Sequence, residues 1–319
     1  MPPEPSSRAS RVQAIDWARG AALVGMALYH LSWDLAYFHI IPADFPVDPP
    51  MRLFSHVVAG AFLIIVGISV TLAHSQGINW PSFLRRLAIV SGAAILVTLA
   101  TRAFAPDEAI YFGILHCIAV SSVLALPLAR APPWLALAAA VAAFAAPMFF
   151  ASRGLDAPSL AWLGFGAQMP TTLDWRPMFP WSGLVFLGVG AARLAPMSLY
   201  SKPLASSRAS STAGRALAWA GRHSLTIYLV HQPILFGVLF AATTPTGYAQ
   251  RINTEAFNAN CQRECRAGGG FETKCGGACQ CVVQGLKAAN LAVATTNESL
   301  SDAQSEDYSR IVRACAAAR

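Results

Sequence analysis

Charged residues are scarce in this sequence. Of its 319 residues only 12% are Asp, Glu, Lys or Arg, whereas 55% are hydrophobic. An ordinary soluble domain carries about 25% charged residues. Because so few charges cannot cover so much apolar surface, the composition excludes a soluble protein as the bulk of the chain and predicts that most of it lies in lipid.

Basic clusters and internal repeats are also lacking. The 23 Lys and Arg residues give a formal charge of +7, but they form no basic face with the aromatic or groove-reading elements that nucleic acid requires, so a nucleic-acid partner is excluded. The N-terminal segment is rich in Pro and Ser, and the apolar run behind it contains Asp16 and Arg19. That pattern is not typical of a cleaved signal peptide.

Apolar stretches long enough to cross a bilayer occur about seven times. Because open sheet edges cannot be satisfied in hydrocarbon, each stretch predicts a helix, and the fold class is an all-α, polytopic membrane helix bundle. An uncharged segment, 157–170, is left open as re-entrant or spanning. The predicted spans lie near 15–40, 53–74, 84–104, 110–129, 134–151, 178–194 and 217–242.

The connecting loops differ in their basic residues. The N-terminal tail and the loops on its side carry eleven Lys and Arg, including Arg85, Arg86, Lys202 and Arg208, whereas the opposite loops carry four. By the positive-inside rule the N-terminus is cytoplasmic. Seven crossings then leave the C-terminal tail outside.

Only one of the seven cysteines lies in the predicted membrane region. The other six lie in the tail, which predicts up to three disulfides on the oxidising side of the membrane, with the pairing left open among 15 connectivities. Their CxxxC and CxxxCxC spacings do not match the usual CxxC zinc pairs, so disulfides are favoured over a metal. The predicted regions are a cytoplasmic tail (1–14), a membrane domain (15–243) and a Cys-rich extracytoplasmic region (244–319).

Ionisable residues within spans are costly and therefore need a structural or functional reason. Asp16 and Arg19 share one face at the start of the first span, as a local ion pair or as a site for the charged part of a ligand. His30 and Asp34 are also one turn apart, and a carboxylate beside an imidazole is the arrangement that orients a general base.

Other histidines are predicted at a similar depth. His56 lies early in the second span and His116 early in the fourth, both on the outer side with His30. His231 and Gln232 lie deeper in the last span, beside a proline that frees a backbone carbonyl. The remaining three, at predicted span ends, are expected at the interface: His39, His74 and His223.

Five sequence runs, in order, carry a resemblance to a known family. They resemble the bacterial membrane proteins similar to the catalytic domain of heparan-alpha-glucosaminide N-acetyltransferase, over roughly residues 11 to 240. The Cys-rich tail lies outside this resemblance. The runs are RVQAIDWARGAALVGMALYH, FLIIVGISV, FGILH, MFPWSGLVFLGVG and GRHSLTIYLVHQP.

The resemblance implies a polytopic acyltransferase of a bacterial inner membrane. Such a protein takes acetyl from cytoplasmic acetyl-CoA and delivers it to a glycan amine or hydroxyl, or another small acceptor, on the far side. A histidine then serves as general base or transient acyl carrier. The candidates for catalysis are His30, Asp34, His56 and His116, and those for donor binding are Asp16, Arg19, Arg52, His231 and Gln232, with Arg85, Arg86 and Arg222 for the phosphates.

Two other functions stay open. The His and Asp groups within spans are also those that relay protons in a transporter or flippase, although paired repeats, common in transporters, are lacking here. The other alternative is a non-enzymatic membrane component whose tail docks a partner outside. Membrane lipids are expected partners in each case, and a homo-oligomer is left open.

Overall fold

The computed structural model describes seven stretches of the chain, in which the regular secondary structure is helical. No β-strand occurs in these stretches beyond an isolated bridge between Ser152 and Gly166. The predicted all-α fold is therefore confirmed. Most of the predicted N-terminal tail, His39, Lys202 and Arg208 lie outside the described residues, which are 13–38, 40–74, 77–195, 212–243, 248–267, 271–289 and 302–317.

The helices follow the predicted spans closely up to residue 194. Eight α-helices precede residue 244 in the described part of the chain, and α7 is the shortest of these α-helices. They are α1 (Gln13–Tyr37), α2 (Pro49–His74), α3 (Trp80–Phe104), α4 (Ile114–Leu128), α5 (Pro133–Phe150), α6 (Met178–Leu194), α7 (Thr212–Arg222) and α8 (Ser224–Thr243).

Length and apolar composition mark several of these helices as membrane spans. Among the described residues four are long and apolar enough to cross a bilayer, namely α2, α3, α5 and α8, and α4 and α6 are shorter apolar helices. Large apolar side chains stand exposed on α3 and α5, including Leu99 and Val141. Because such surface is stable in lipid and not in water, the chain is a membrane protein.

The last predicted span, 217–242, is in fact two helices. The helix ends at Arg222 and resumes at Ser224, and the His223 imidazole Nδ1 lies 2.9 Å from the carbonyl oxygen of Trp219. Helix α7 is strongly amphipathic, which is typical of a helix at an interface and not of one inside lipid. The span therefore begins only at Ser224.

The open segment 157–170 forms turns and contains no helix. It packs back on the start of α6, where the backbone N–H groups of Met178 and Phe179 donate to the carbonyl oxygens of Trp162 and Leu163. Irregular backbone of this kind does not cross lipid-exposed hydrocarbon. The segment is therefore not an additional membrane span.

Helix α6 packs against α2, α4 and α5. Glycines allow the closest approaches, because a Cβ at Gly67 of α2 would overlap the carbonyl oxygen of Val185, and one at Gly188 of α6 would overlap that of Ile64. Small residues at crossings let membrane helices pack through their backbones. Val185 and Val189 are fully buried at this crossing.

The chain divides into two compact units. One comprises Met1–His30 with Pro49–Gln232, and the other comprises Leu31–Asp48 with Pro233–Arg319. The predicted region boundaries at residues 14 and 243, which rest on composition, stay a prediction.

The tail contains three helices joined by disulfides. These are α9 (Tyr248–Ala267), α10 (Glu272–Ala288) and α11 (Asp302–Ala317). Two disulfides, Cys261–Cys279 and Cys265–Cys275, join α9 to α10, and Cys281–Cys315 joins α10 to α11. A small core of Val282 and Leu286 lies beside the last disulfide. The predicted disulfides are thus confirmed.

Candidate active site

The segment before α6 runs alongside the residues that lead into α4. The Thr172 hydroxyl donates to the carbonyl oxygen of Ala109, and the Leu173 N–H donates to that of Glu108. The Arg176 N–H donates to the carbonyl oxygen of Phe112 at 3.3 Å. These contacts hold the segment beside the residues that precede α4.

Arg176 contacts several parts of the site at once. Its Nη2 donates to the Ser55 hydroxyl of α2 at 2.8 Å, its Nη1 donates to the carbonyl oxygen of Trp175 at 3.0 Å, and its Nε lies 3.9 Å from an Asp174 carboxylate oxygen. The guanidinium also lies 4.8 Å from the centre of the Trp181 ring, a cation–π contact. A planar guanidinium with five N–H donors is suited to such a junction.

Trp181 and Asp174 connect Arg176 to two further helices, α6 and α4. The ring centres of Trp181 and His56 are 5.4 Å apart, so the indole contacts both the imidazole and the guanidinium. The other Asp174 oxygen accepts the backbone N–H of Ile114 at 2.8 Å. An acidic side chain at this end stabilises α4 by accepting one of its unpaired N–H groups.

His116 is held by both ring nitrogens. Its Nδ1 accepts the Gly113 N–H at 3.2 Å, and its Nε2 lies 3.3 Å from the Thr98 hydroxyl. That hydroxyl donates its hydrogen to the carbonyl oxygen of Ile110 at 2.7 Å, so it must accept from His116. The network therefore assigns a neutral ring with hydrogen on Nε2 and leaves neither nitrogen ready for a substrate proton.

His30 and His231 form a pair between α1 and α8. Their ring centres are 4.9 Å apart with an angle of 66° between the planes. The Nδ1 of His231 lies 2.6 Å from the carbonyl oxygen of Tyr228, so Nδ1 carries the hydrogen and Nε2 is the acceptor in the neutral ring. Within the described part of the chain this Nε2 is buried without a hydrogen-bond partner.

The charges of Arg176 and Asp174 act on three of these histidines. The Arg176 charge acts on the imidazoles of His30 and His56, and the Asp174 charge acts on that of His116. The expectation that His30, His56 and His116 lie close to one level stays a prediction. We name the set the histidine cluster: His30, His56, His116, His231, Asp174, Arg176 and Trp181.

Three other predicted site residues are Asp34, Gln232 and Arg52. Asp34 is buried one helical turn after His30, and Gln232 is half-buried beside His231. Arg52 is exposed in the first turn of α2.

Asp16 and Arg19 form the ion pair that the sequence suggested. Their side chains are 3.8 Å apart, and Arg19 donates to the Ser69 hydroxyl at 2.6 Å. Asp16 is only 3% exposed. Its backbone is also in close contact with α7, because a Cβ at Gly221 would overlap the Asp16 carbonyl oxygen. The pair thus links α1 and α2 next to α7.

Sequence reasoning missed Arg176, Asp174, Ser55 and Trp181 as site residues. Loop charges are ordinary, so Asp174 and Arg176 carried no signal by themselves. The available clue was an acidic and a basic residue two positions apart just before the apolar run that begins at Met178.

No group of three or more His, Cys, Asp or Glu side chains able to hold a metal occurs among the described residues. The polar side chains of the site are imidazole, guanidinium, carboxylate and hydroxyl groups. This set suits proton transfer and the stabilisation of developing negative charge.

The apolar helices and this cluster of polar side chains define a helical membrane protein with a polar site between its helices. A comparison with protein-family models matches residues 11–233 to heparan-alpha-glucosaminide N-acetyltransferase, catalytic. The match covers well over half of the chain, so the chain belongs to this family, and the resemblance of the sequence runs is confirmed. Neither the curated proteins nor the solved structures contain a match.

Proposed function

We propose that this protein is an integral membrane acetyltransferase. It moves an acetyl group from cytoplasmic acetyl-CoA to a glycan amine or hydroxyl, or to another small acceptor, on the extracytoplasmic side of a bacterial inner membrane. The observation that carries this proposal is the His30–His231 pair, with the buried and unpartnered Nε2 of His231 among the described residues, in a chain of this family.

The pair is suited to act on an acceptor. The Tyr228 carbonyl fixes the tautomer of His231, so that its Nε2 lone pair is available for proton transfer. His30 lies against this ring and shares the role. As the acceptor nitrogen or oxygen bonds to the acetyl carbon, its proton passes to an imidazole, and the sulfur of CoA leaves with the electrons of the thioester bond.

Arg176 is the candidate cation for this chemistry. Its charge acts on His30, and its position is fixed by Ser55 and Asp174. A preorganised cation stabilises the oxyanion that develops on the acetyl carbonyl, and such stabilisation is commonly the main source of rate enhancement in acyl transfer. His56 packs against Trp181 and is a further candidate to contact the acceptor.

The depth of the pair supports a reaction reached from both sides. His30 lies seven residues before the end of α1, and His231 lies seven residues after the start of α8. At 1.5 Å per residue, His30 lies about 10 Å from the C-terminal end of α1, and His231 lies about 10 Å from the N-terminal end of α8. If α1 and α8 cross a hydrocarbon layer of about 30 Å, a contact at this position along them would lie away from both surfaces.

Exposed arginines suit the phosphates of the donor. Arg85 and Arg222 are exposed at the ends of α3 and α7 that the positive-inside rule assigns to the cytoplasm. Arginine binds phosphate bidentately. Acetyl-CoA supplies the activated acetyl thioester, and these residues would hold its nucleotide end. Arg19 is instead engaged by Asp16 and Ser69.

The test compares histidine variants in proteoliposomes supplied with acetyl-CoA and a glucosamine oligosaccharide. His30→Ala and His231→Ala are expected to lower acetyl transfer by about 10²–10⁴-fold, the usual contribution of a general base. The matched control is His223→Ala, because His223 also bonds a backbone carbonyl through Nδ1 but is exposed outside the cluster. Mass spectrometry of the oligosaccharide gives the readout.

Two results would contradict the proposal. Normal transfer by both histidine variants would remove the pair from the chemistry. Uptake of the oligosaccharide without acetyl-CoA, with no acetylated product, would favour a proton-coupled transporter or flippase, for which the buried Asp34 and the histidines would serve as proton carriers.

A further inference from the structure

A second polar site lies at the opposite end of α2 from His56. It is a crevice between α2, α3 and α4, with apolar walls and three polar side chains: His74, Arg86 and Ser122. Its enclosed volume is about 20 Å³, which is close to the space that one water molecule or one oxygen atom of a ligand needs. The crevice is too small to enclose a whole metabolite.

His74 in this crevice is buried but incompletely bonded. The side chain is 5% exposed, and its ring packs edge-on against Phe83 with ring centres 5.6 Å apart. Its Nδ1 is buried and has no hydrogen-bond partner within the described ranges. A buried polar nitrogen without a partner is unfavourable, so the site is complete only when an outside group reaches it.

Arg86 provides the charge of the site. It lies six residues after Trp80, the first residue of α3, which at 1.5 Å per residue is about 9 Å along the helix. No carboxylate or other side chain bonds to the Arg86 guanidinium in the part of the chain that the structure describes. Its charge acts on the neighbouring His74.

A guanidinium at this depth requires an anion or contact with the headgroup layer. Cations are costly in hydrocarbon, and long basic side chains extend toward phosphates to avoid that cost. Trp80 is exposed at the start of the same helix, where aromatic side chains mark the membrane interface. Basic pockets between membrane helices at this level bind anionic headgroups.

We propose that His74 and Arg86 bind the phosphate group of an anionic phospholipid. One phosphate oxygen enters the crevice and meets the imidazole, and Arg86 pairs with the others. The acyl chains lie along the exposed apolar side chains of α3, such as Leu84 and Ile89. The lipid is favoured over the phosphates of CoA because the walls of the crevice, including Val70 and Leu87, are apolar.

Lipid retention by the purified full chain tests this site independently of any acetyl transfer. The protein is exchanged into mild detergent with equal phosphatidylglycerol and phosphatidylcholine, and native mass spectrometry counts the lipids that stay bound. Wild type is expected to retain phosphatidylglycerol selectively, and Arg86→Gln is expected to reduce it to the phosphatidylcholine level. Arg86→Lys keeps the charge and should restore most of the retention.

Arg85→Gln is the matched control, because Arg85 is exposed like its neighbour Arg86 but does not line the crevice. It should leave lipid selectivity unchanged. His74→Phe keeps the ring but removes the nitrogens, and it should weaken phosphatidylglycerol retention at least several-fold. An equal loss in Arg85→Gln and Arg86→Gln would reduce the effect to general basic charge and overturn the site.

A further arm separates the two sources of phosphate. CoA is added to the lipid-loaded protein at increasing concentration. Unchanged lipid retention supports the proposal. Displacement of phosphatidylglycerol by CoA, together with a raised KM for acetyl-CoA in Arg86→Gln, would instead assign the crevice to the donor and overturn the lipid site. The measured lipid retention does not depend on whether the wild type transfers acetyl groups.

Discussion

At the scale of single residues, Arg176 joins more parts of the site than any histidine does. Its guanidinium contacts Ser55 of α2, Asp174 before α6 and the ring of Trp181. Each contact uses a different part of the planar group. Its charge also acts on His30 and His56. The orientation of the cluster therefore depends on the shape of this side chain as well as on its charge.

Arg176→Lys is accordingly expected to fail as a substitute. A lysine keeps the charge but has one compact ammonium group, so it cannot bond Ser55 and lie flat on Trp181 together. We expect acetyl transfer to fall about tenfold or more, with a loss of stability of about 1–3 kcal/mol from the contacts left unmade. Turnover in proteoliposomes and thermal unfolding in detergent measure the two effects.

Arg153→Lys provides the control for this substitution. Arg153 is an exposed arginine in the connection between α5 and α6, the same connection that contains Arg176. Its replacement should change neither turnover nor the unfolding temperature. Full activity in Arg176→Lys would show that charge alone suffices at this position.

The histidines of the cluster were predictable for a simple physical reason. Ionisable groups within apolar spans are rare, so His30, His56, His116 and His231 stood out in the sequence. Which nitrogen each ring offers was not predictable, because it depends on bonds to Gly113, Thr98 and Tyr228 that only the fold brings close. The structure thereby separates the doubly bonded His116 from His231, whose Nε2 has no bond in the described residues.

At the scale of elements, the crossing of α2 and α6 depends on glycine. Gly67 and Gly188 let the two backbones touch, and a methyl group at either would overlap a carbonyl oxygen. Because His56 and Ser55 lie on α2 while Trp181 lies on α6, this crossing also sets the spacing of the histidine cluster. Backbone oxygens cannot move aside as a flexible side chain can.

Gly67→Ala and Gly188→Ala are therefore expected to destabilise the protein by about 1–3 kcal/mol, as overpacked cores do. Gly92→Ala on α3 is the control, because nothing lies within 4 Å of its added Cβ. There alanine is a better helix former than glycine and should be neutral or stabilising. Thermal unfolding in detergent compares the three, and equal effects at Gly67 and Gly92 would contradict a backbone-limited crossing.

Helix positions were largely predictable, whereas the break at His223 was not. Apolar runs of span length have one stable outcome in lipid, so α1 to α6 followed from hydropathy. The run from 217 to 242 is apolar on both sides of Arg222 and His223, and hydropathy averaged over it does not register where one helix ends and the next begins. The amphipathic pattern of α7, with Arg215 and Arg222, was the signal that could have divided it.

At the scale of the whole molecule, the proposed function depends on direction. A donor on one side and an acceptor on the other require that the two membrane faces of the chain differ. The loops differ in basic charge, and six cysteines of the tail form disulfides, which persist in oxidising compartments. Both observations favour a cytoplasmic N-terminus and an outer tail.

Single added cysteines test this orientation. Met169→Cys lies in the connection between α5 and α6, Ser305→Cys lies in α11, and Ser82→Cys lies at the start of α3, and all three positions are exposed. A membrane-impermeant maleimide applied to intact cells should label Met169→Cys and Ser305→Cys, and Ser82→Cys only after permeabilisation. The native Cys117 is buried, and the other six cysteines are disulfide-bonded, so the background is low.

The pattern of labelling separates the alternatives. Labelling of Ser82→Cys alone in intact cells would invert the whole chain and place the arginines proposed for CoA on the wrong side. Labelling of Met169→Cys without Ser305→Cys would mean that the tail returns to the cytoplasm, where disulfides are rare. Only the expected pattern places Arg85 and Arg222 on the same side as the cytoplasmic donor, and the tail on the same side as the acceptor. The number of membrane crossings and the charge of the loops then agree.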